Sequence, residues 1–501
     1  MRILCLGNNT EDTDIKTRQL AHIDNVACHG LISELDHLVI KDLVLLDGYY
    51  HSSVYDIAFS RLIELSAKFD RIVILDQPKS QYSHPNAFYK TIRAAKEIAK
   101  SQSVIYLDPT YEHSITFFQN LVDTNKSFCI FPFIELLSNN GNTTVCCRSN
   151  TAITLLKELD NFRTNSKYQK IRTKMLEGEL LPEHCSSCYS LEEKGITSAR
   201  IQETIEWCNR LNLNNLEDLN NLTDPAYYEV RPSNVCNLQC RMCGPESSNQ
   251  IAKEYKKLNL ISQIPTQEFA DFDFIKFDQL KKLYVAGGEP TAMIELYDFF
   301  DKCIANRQTD FEFVINTNAT KFNSKFKRQI KHFSNLQFII SIDGFDKLNH
   351  YIRWPSDWKT IVDNVQYLKQ HNHTVSFSVT VSIYNVDTLD QLLTFFDTEF
   401  PNTLVHCQLA VSNNDKLSAL NHPLGDRVLE SLKKIQQLNC YKNDSLLASL
   451  IDGIIKHYQT RDSVDQDKLA KFFEFNELLD KSRNIKLEDY IPNLAQYKGL
   501  L

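Results

Sequence analysis

Six short apolar runs between Tyr227 and Val411 constrain the fold of this chain more than any other feature. They lie at 227–231, 282–286, 312–315, 337–342, 375–383 and 404–411, and amphipathic stretches at 292–306, 324–333, 358–370 and 389–396 separate them. Strand-like runs alternating with helical patterns read as β/α units, which assemble into a parallel sheet, open or curled into a barrel. Each run is followed by a polar or glycine-rich cluster. In order these are Cys236–Cys243, Gly287-Gly288-Glu289, Asn316-Thr317-Asn318, Ser341-Ile342-Asp343-Gly344, Tyr384-Asn385 and Ala410-Val411-Ser412. Six such clusters in register mark one sheet edge, the edge where α/β folds place their chemistry.

The first cluster reads Cys236-Asn-Leu-Gln-Cys240-Arg-Met-Cys243, a C-x3-C-x2-C spacing. Short thiolate spacings let one loop wrap an iron–sulfur cluster. Three ligands leave one iron without a protein partner, open to chelation by the amine and carboxylate of a small molecule. Structural zinc is the competing reading, but it prefers four ligands, usually as two C-x2-C pairs. Gly287-Gly288-Glu289-Pro290, taken alone, is an ordinary turn.

A second thiolate set stands upstream. Cys129 is followed by Gly141 and Cys146 in a C-x11-G-x4-C spacing, with Asn140-Gly141 as a tight hairpin turn, and then by Cys185-Ser-Ser-Cys188. Two thiolate pairs suit either a four-cysteine zinc site or a [4Fe–4S] cluster, and spacing does not separate the two. Cys147 is spare, or replaces Cys146. Of the 14 cysteines, Cys5, Cys28, Cys208, Cys303, Cys407 and Cys440 are scattered in apolar or helical contexts and read as small buried hydrophobes.

Taken together, the C-x3-C-x2-C loop, the Gly-Gly-Glu-Pro turn after the second run and the polar strand ends resemble the radical S-adenosylmethionine superfamily over roughly 227–412. The resemblance implies a partial (β/α)6 barrel and a [4Fe–4S] cluster on Cys236, Cys240 and Cys243. It also implies a bound S-adenosylmethionine contacted by Met242, Gly287, Gly288, Glu289, Asn316, Asn318, Ser341, Asp343 and Arg353. In that superfamily the residue at the Met242 position offers its backbone to the adenine, and the glycines admit the amino group. A flavodoxin or ferredoxin supplies the electron, and a 5′-deoxyadenosyl radical abstracts a substrate hydrogen. The upstream set resembles the twitch domain, the short relative of the SPASM domain, which implies one auxiliary [4Fe–4S] cluster on Cys129, Cys146, Cys185 and Cys188. Here that domain precedes the barrel, the order of one twitch-containing subgroup.

The expected organisation is therefore α/β throughout its first four-fifths. It comprises a small open α/β domain at 1–120, the auxiliary-cluster domain with its linker at 121–225, the barrel at 226–412 and a helical region at 413–501. Within the first domain, runs at 2–7, 42–46, 71–76 and 104–107 read as buried parallel strands, with helical stretches at 54–68 and 86–101. His51, Ser52, Ser53, Asp56, Asp76 and Gln77 follow strand ends there and read as caps or turn residues. No apolar run approaches the roughly 18 residues of a membrane span, and the start turns polar too soon for a secretory segment. A cytoplasmic protein is expected. The net charge of −8 argues against a general nucleic-acid binder. The Lys325-Phe326-Lys327-Arg328 stretch reads as a solvated helix face. The substrate is a small molecule or a peptide, the latter if the chain is a SPASM/twitch-type peptide maturase. A non-enzymatic metal-binding protein is the remaining reading.

Overall fold

The computed structural model describes the backbone of five strands before residue 107, then residues 109–149, 151–193, 198–265, 271–410 and 415–500. The chain divides into two compact units, one of residues 1–133 and 169–223, the other of residues 134–168 and 224–501. The segment 121–225 is thus shared between them.

In the first unit, β1 (Ile3–Gly7), β2 (Val26–Leu31), β3 (Leu43–Leu46), β4 (Arg71–Leu75) and β5 (Ser103–Tyr106) form a parallel sheet in the order β2-β1-β3-β4-β5. Four of these coincide with the apolar runs of the sequence. The fifth, β2, carries His29 and Gly30, which interrupt its apolar pattern. The helical stretches expected at 54–68 and 86–101, and the loop residues His51, Ser52, Ser53, Asp56, Asp76 and Gln77, lie outside the described residues. Helix Pro109–Thr124 packs on helix Ala199–Arg210, burying Phe118 and Val122 with Trp207 and Cys208. The Ser198 hydroxyl caps the second helix by accepting from the Ile201 amide.

The second unit is built on a nine-stranded sheet. Its strands are β6 (Glu135–Asn139), β7 (Asn142–Thr144), β8 (Thr154–Leu155), β9 (Tyr227–Arg231), β11 (Lys282–Val285), β12 (Glu312–Thr317), β13 (Leu336–Ser341), β15 (Thr374–Val381) and β16 (Val405–Leu409), in the order β16-β15-β13-β12-β11-β9-β6-β7-β8. A separate two-stranded pair joins β10 (Gln239–Cys240) to β14 (Arg353–Trp354). From β9 to β16 the strands are parallel and follow chain order, as β/α repetition requires. The sheet stays open, because β9 pairs with β6 on its far side. Asn140 and Gly141 both take positive φ, 50° and 77°, closing the β6–β7 hairpin as a two-residue turn. The sequence supplied that turn but not the parallel pairing of β6 with β9.

Burial alternates along the central strands. In β13 Leu336, Phe338 and Ile340 are buried while Gln337, Ile339 and Ser341 are half-buried; in β15 Val375, Phe377, Val379 and Val381 alternate with Ser376, Ser378 and Thr380. Parallel strands covered on both faces read as continuous apolar runs. Here one face meets a packed aromatic layer of Phe300, Phe313, Phe326 and Phe338. Phe377 stacks on Phe396 at 3.9 Å on the same face. The other face is mostly polar, with Gln337, Ser341, Ser376, Ser378 and Thr380 beside Ile339.

Helices Gly425–Ile435, Ser445–Thr460 and Gln466–Arg483 lie in the same unit. The last of them buries Leu469, Phe472 and Phe473 in one cluster with Tyr351, Ile352, Ile383 and Tyr384. No helix among the described residues is long and apolar enough to cross a membrane.

Candidate functional site

The cysteine loop leaves the carboxyl end of β9 and enters helix Asn249–Lys257, whose Ser248 cap accepts from the Ile251 amide. Its path is fixed at both ends. The Cys236 amide donates to Asn249 Oδ1 at 3.2 Å, and the Leu238 amide donates to Cys236 Sγ at 3.4 Å. Cys240 pairs antiparallel with Arg353 through β10 and β14, and the Cys243 amide donates to the Cys240 carbonyl at 3.1 Å. Cys240 is buried, while Cys236 and Cys243 are half-buried.

The three thiols share one electrostatic environment. The Cys240 thiol is pulled below its ordinary value by a hydrogen bond with Cys243 and by the Arg353 and Arg483 guanidiniums, against burial. Cys243, on the other side of that bond, is raised by it and by burial. Burial and the neighbouring Cys240 push Cys236 up to about 12. Thiolates crowded together raise one another's pKa unless positive charge is shared among them.

The loop after β11 docks directly on the cysteine loop. The Gly288 amide donates to the Ser233 carbonyl at 2.9 Å, and the Glu289 amide to the Val235 carbonyl at 2.7 Å. A Cβ on Gly288 would lie 2.1 Å from the Val235 carbonyl oxygen. Gly287 has φ of +119°, and its Cβ would meet the Ser233 carbonyl at 2.8 Å. The two glycines therefore let backbone meet backbone. Glu289 is buried, and its carboxylate accepts from the Thr291 amide and hydroxyl, the Thr317 hydroxyl and the Asn318 amide. Burial raises its pKa and these donors oppose the rise. It is a tie between the loops after β11 and β12.

The remaining expected residues fall on the same edge. Asn318 Nδ2 donates to Asn237 Oδ1 inside the cysteine loop at 3.1 Å, and Asn237 Nδ2 donates to Thr320 Oγ1 at 2.8 Å. Ser341 Oγ donates to Asn316 Oδ1 at 2.9 Å, and Asn316 Nδ2 to Tyr284 Oη at 3.1 Å, a chain across the polar face of three strands. Asp343 is fully buried, accepts from the Thr380 amide at 2.7 Å and pairs with Arg353 Nε at 2.5 Å. Burial works against the Arg353 charge, but Asp343, Cys240 and Cys243 hold its pKa above the ordinary value. Met242 packs its side chain on the cluster of Tyr351, Ile383 and Phe472.

Upstream, Cys129, Cys185 and Cys188 belong to the first unit, and Cys146 and Cys147 to the second. Cys185 and Cys188 are buried on helix Pro182–Glu193. Burial pushes the Cys185 thiol up to about 11, against a Tyr189 hydrogen bond and the Arg200 charge. Arg200 is buried, pairs with Glu192 at 2.7 Å and donates to the Phe128 carbonyl at 2.7 Å, within electrostatic reach of Cys129. In the second unit Cys146 is half-buried and Cys147 is exposed.

Sequence reasoning missed Arg241, in the cysteine loop itself, and its partners Asn476 and Asp480, together with Glu254 and Arg483. A signal existed. Asn476, Asp480 and Arg483 stand at i, i+4 and i+7 on the buried stripe of helix Gln466–Arg483, where apolar residues belong.

Among the described residues, no three His, Cys, Asp or Glu side chains converge on a single metal ion. A cuboidal iron–sulfur cluster holds its cysteines around four irons, not around one ion. Three thiols on one loop, a direct hydrogen bond between two of them and the flanking Arg353 and Arg483 guanidiniums fit that anionic group.

Residues 230–396 match the profile of the Radical SAM superfamily, and no curated protein matches the chain significantly. Solved structures with similarity include native anSMEcpe with bound AdoMet, at 14% identity over 48% of this chain and 64% of that one, TM-score 0.31. Streptococcus suis SuiB bound to S-adenosylmethionine matches at 14% identity over 54% and 59%, TM-score 0.30. TYW1 with a lysine-pyruvate adduct bound matches at 16% identity over 42% and 73%, TM-score 0.27. The chain spans 58–64% of the length of the first four solved structures it matches. The superfamily match spans β9 to helix Leu389–Glu399 and contains Cys236, Cys240, Cys243 and the Gly-Gly-Glu-Pro turn, so the chain carries a domain of the radical SAM superfamily.

Proposed function

We propose that the chain is a radical S-adenosylmethionine enzyme whose cluster is held by Cys236, Cys240 and Cys243. The observation that carries this reading is the docking of Gly287-Gly288-Glu289 onto the backbone of the cysteine loop. Bound together, a [4Fe–4S] cluster and S-adenosylmethionine supply a one-electron reductive cleavage to methionine and a 5′-deoxyadenosyl radical, which removes a hydrogen atom from substrate. A flavodoxin or ferredoxin is the proposed electron source.

The chain's own residues bind, orient and exclude water. Glu289 and Asn318 hold neighbouring strand-end loops against the cysteine loop. Arg353, paired with Asp343, places a fixed positive charge beside Cys240 and Cys243. The polar face of the sheet offers Glu229 with Arg231, Tyr284, Asn316 and Ser341 to a polar substrate, peptide or small molecule. A twitch-type second [4Fe–4S] cluster on the upstream cysteines is part of the same proposal. The spacing of Cys129, Cys146, Cys185 and Cys188 supports it, as does the buried Arg200 charge within reach of Cys129 and Cys185.

The test is anaerobic reconstitution followed by iron and sulfide counts and an assay for 5′-deoxyadenosine under strong reductant. About eight irons per chain are expected for two clusters, and about four for the Cys236–Cys243 cluster alone. Cys240→Ala is expected to abolish 5′-deoxyadenosine. A wild-type chain that releases none despite bound iron would overturn the reading.

A further inference from the structure

We propose that helix Gln466–Arg483 is part of the cysteine loop's working apparatus, with Asn476 and Asp480 as positioning residues that act through Arg241. The proposal rests on the radical S-adenosylmethionine reading and extends it to the far end of the chain.

Arg241 sits between Cys240 and Met242 and is 1% exposed. Each of its three guanidinium nitrogens has a partner. Nε donates to the Tyr351 carbonyl at 2.8 Å, Nη1 to Asn476 Oδ1 at 2.7 Å, and Nη2 pairs with Asp480 Oδ1. The guanidinium lies 3.6 Å from the centroid of the Tyr351 ring, and the Arg241 amide donates to the Ile352 carbonyl at 2.8 Å. The partners are themselves held. Asn476 Oδ1 also accepts from Tyr384 Oη at 2.8 Å, Asn476 Nδ2 donates to the Phe472 carbonyl at 2.7 Å, and Tyr351 Oη donates to Asp480 Oδ2 at 3.2 Å.

The same helix grips the far side of the loop. Arg483 makes a two-point pair with Glu254 on helix Asn249–Lys257, at 2.9 and 2.6 Å. One helix thus offers an acid to a base within the loop and a base to an acid just beyond it. Buried ion pairs contribute little net stability over apolar packing, and their best-attested use is to fix register. The register fixed here is that of the chain segment carrying Cys240 and Cys243.

A second consequence is electrostatic. Asp480 neutralises a cation that is one residue from Cys240, so the loop presents no surplus charge from Arg241. Asp480→Asn keeps an acceptor and removes the neutralising charge. The uncompensated Arg241 then favours the more negative, reduced state of an adjacent cluster, since net charge near the sulfurs tunes cluster potentials.

The experiment uses the full chain, reconstituted anaerobically as wild type, Asp480→Asn, Asn476→Ala and the remote core variant Phe377→Ala. Three readouts are taken: far-UV circular dichroism, iron release to a chelator, and midpoint potential by electron paramagnetic resonance. Asp480→Asn is expected to keep its secondary structure, release iron about tenfold faster and titrate at a more positive potential. Asn476→Ala is expected to release iron faster as well, and it carries the release test should Asp480→Asn not fold. Phe377→Ala is expected to lose stability while keeping the wild-type potential and iron release. The proposal is overturned if wild type loads iron and both loop-side variants match it in release and potential. It is equally overturned if Phe377→Ala shifts the potential as Asp480→Asn does. A wild-type chain that loads no iron defeats the underlying reading instead, so the two failures are distinct.

Discussion

Two cores flank the sheet of the second unit, and they are held together by different physics. Beneath β12, β13 and β15 lie Phe313, Phe338 and Phe377 with Phe300, Phe326 and Phe396, none more than 1% exposed. Behind the cysteine loop lie Arg241, Glu254, Asn476, Asp480 and Arg483, also buried, at 1–8% exposed, but charged or polar. Apolar packing is non-directional and tolerates changes that conserve volume. A buried polar network is directional: Arg241 has a partner on each guanidinium nitrogen and Arg483 is held by two hydrogen bonds, while Arg483 Nη1 makes no hydrogen bond. The first core supplies stability; the second supplies a single arrangement of the loop that bears the cysteines.

The comparison can be tested in decreasing order of effect. Phe377→Ala removes a fully buried ring and is expected to cost about 3–5 kcal/mol in chemical denaturation, with the same loss at neutral and mildly acidic pH. A pH-dependent loss would show that the apolar core is coupled to a titrating group. In the charged core, Arg483→Met leaves Glu254 buried without its partner and is expected to cost about 3 kcal/mol. Adding Glu254→Leu should recover most of that loss. If the double variant is as unstable as the single one, the pair contributes stability in its own right and the contrast fails.

The smallest effect, within the first pH unit below 6.5, is a pH slope. His422 is fully buried in the C-terminal region; its Nδ1 accepts from the Leu424 amide at 3.2 Å, so its proton sits on Nε2, 3.6 Å from Asp387. Burial and the Arg461 and Arg427 charges lower its pKa from 6.5 to about 3. Between those values the unfolded chain binds the extra proton and the folded chain does not. Stability is therefore intact above pH 6.5 and falls as pH drops toward 3, by at most about 1.4 kcal/mol per pH unit. Burial raises the Asp387 pKa, so its own protonation offsets part of the loss at the acid end. In His422→Gln the slope just below pH 6.5 should flatten; an unchanged slope in urea titrations would assign it to another group.

Local pattern made much of the sheet and its chemical edge legible. The period-2 burial of β13 and β15, the apolar helix stripes and the cysteine spacing are all properties of contiguous residues. So is the Asn140-Gly141 turn. The charged core was not legible for the opposite reason. Arg241 and Asp480 are separated by 239 positions, and nothing near either one names the other. The same holds for β6, whose pairing with β9 joins Glu135 to Tyr227 across a long intervening segment. The role of Gly287-Gly288 was only half visible. Their need for space could be read, but not that the space is filled by the Ser233 and Val235 carbonyls.

The β6–β7 hairpin has a consequence for how a peptide substrate can approach. An unpaired strand edge is a template onto which an extended chain adds as a further strand. β9, whose end carries the cysteines, is closed to that mode, because β11 occupies one side and β6 the other. Among the described strands of this sheet only β16 and the two-residue β8 lie at its margins. A peptide that reaches the cysteine loop therefore has to be read by side chains on the polar face of the sheet, not by strand addition at β9.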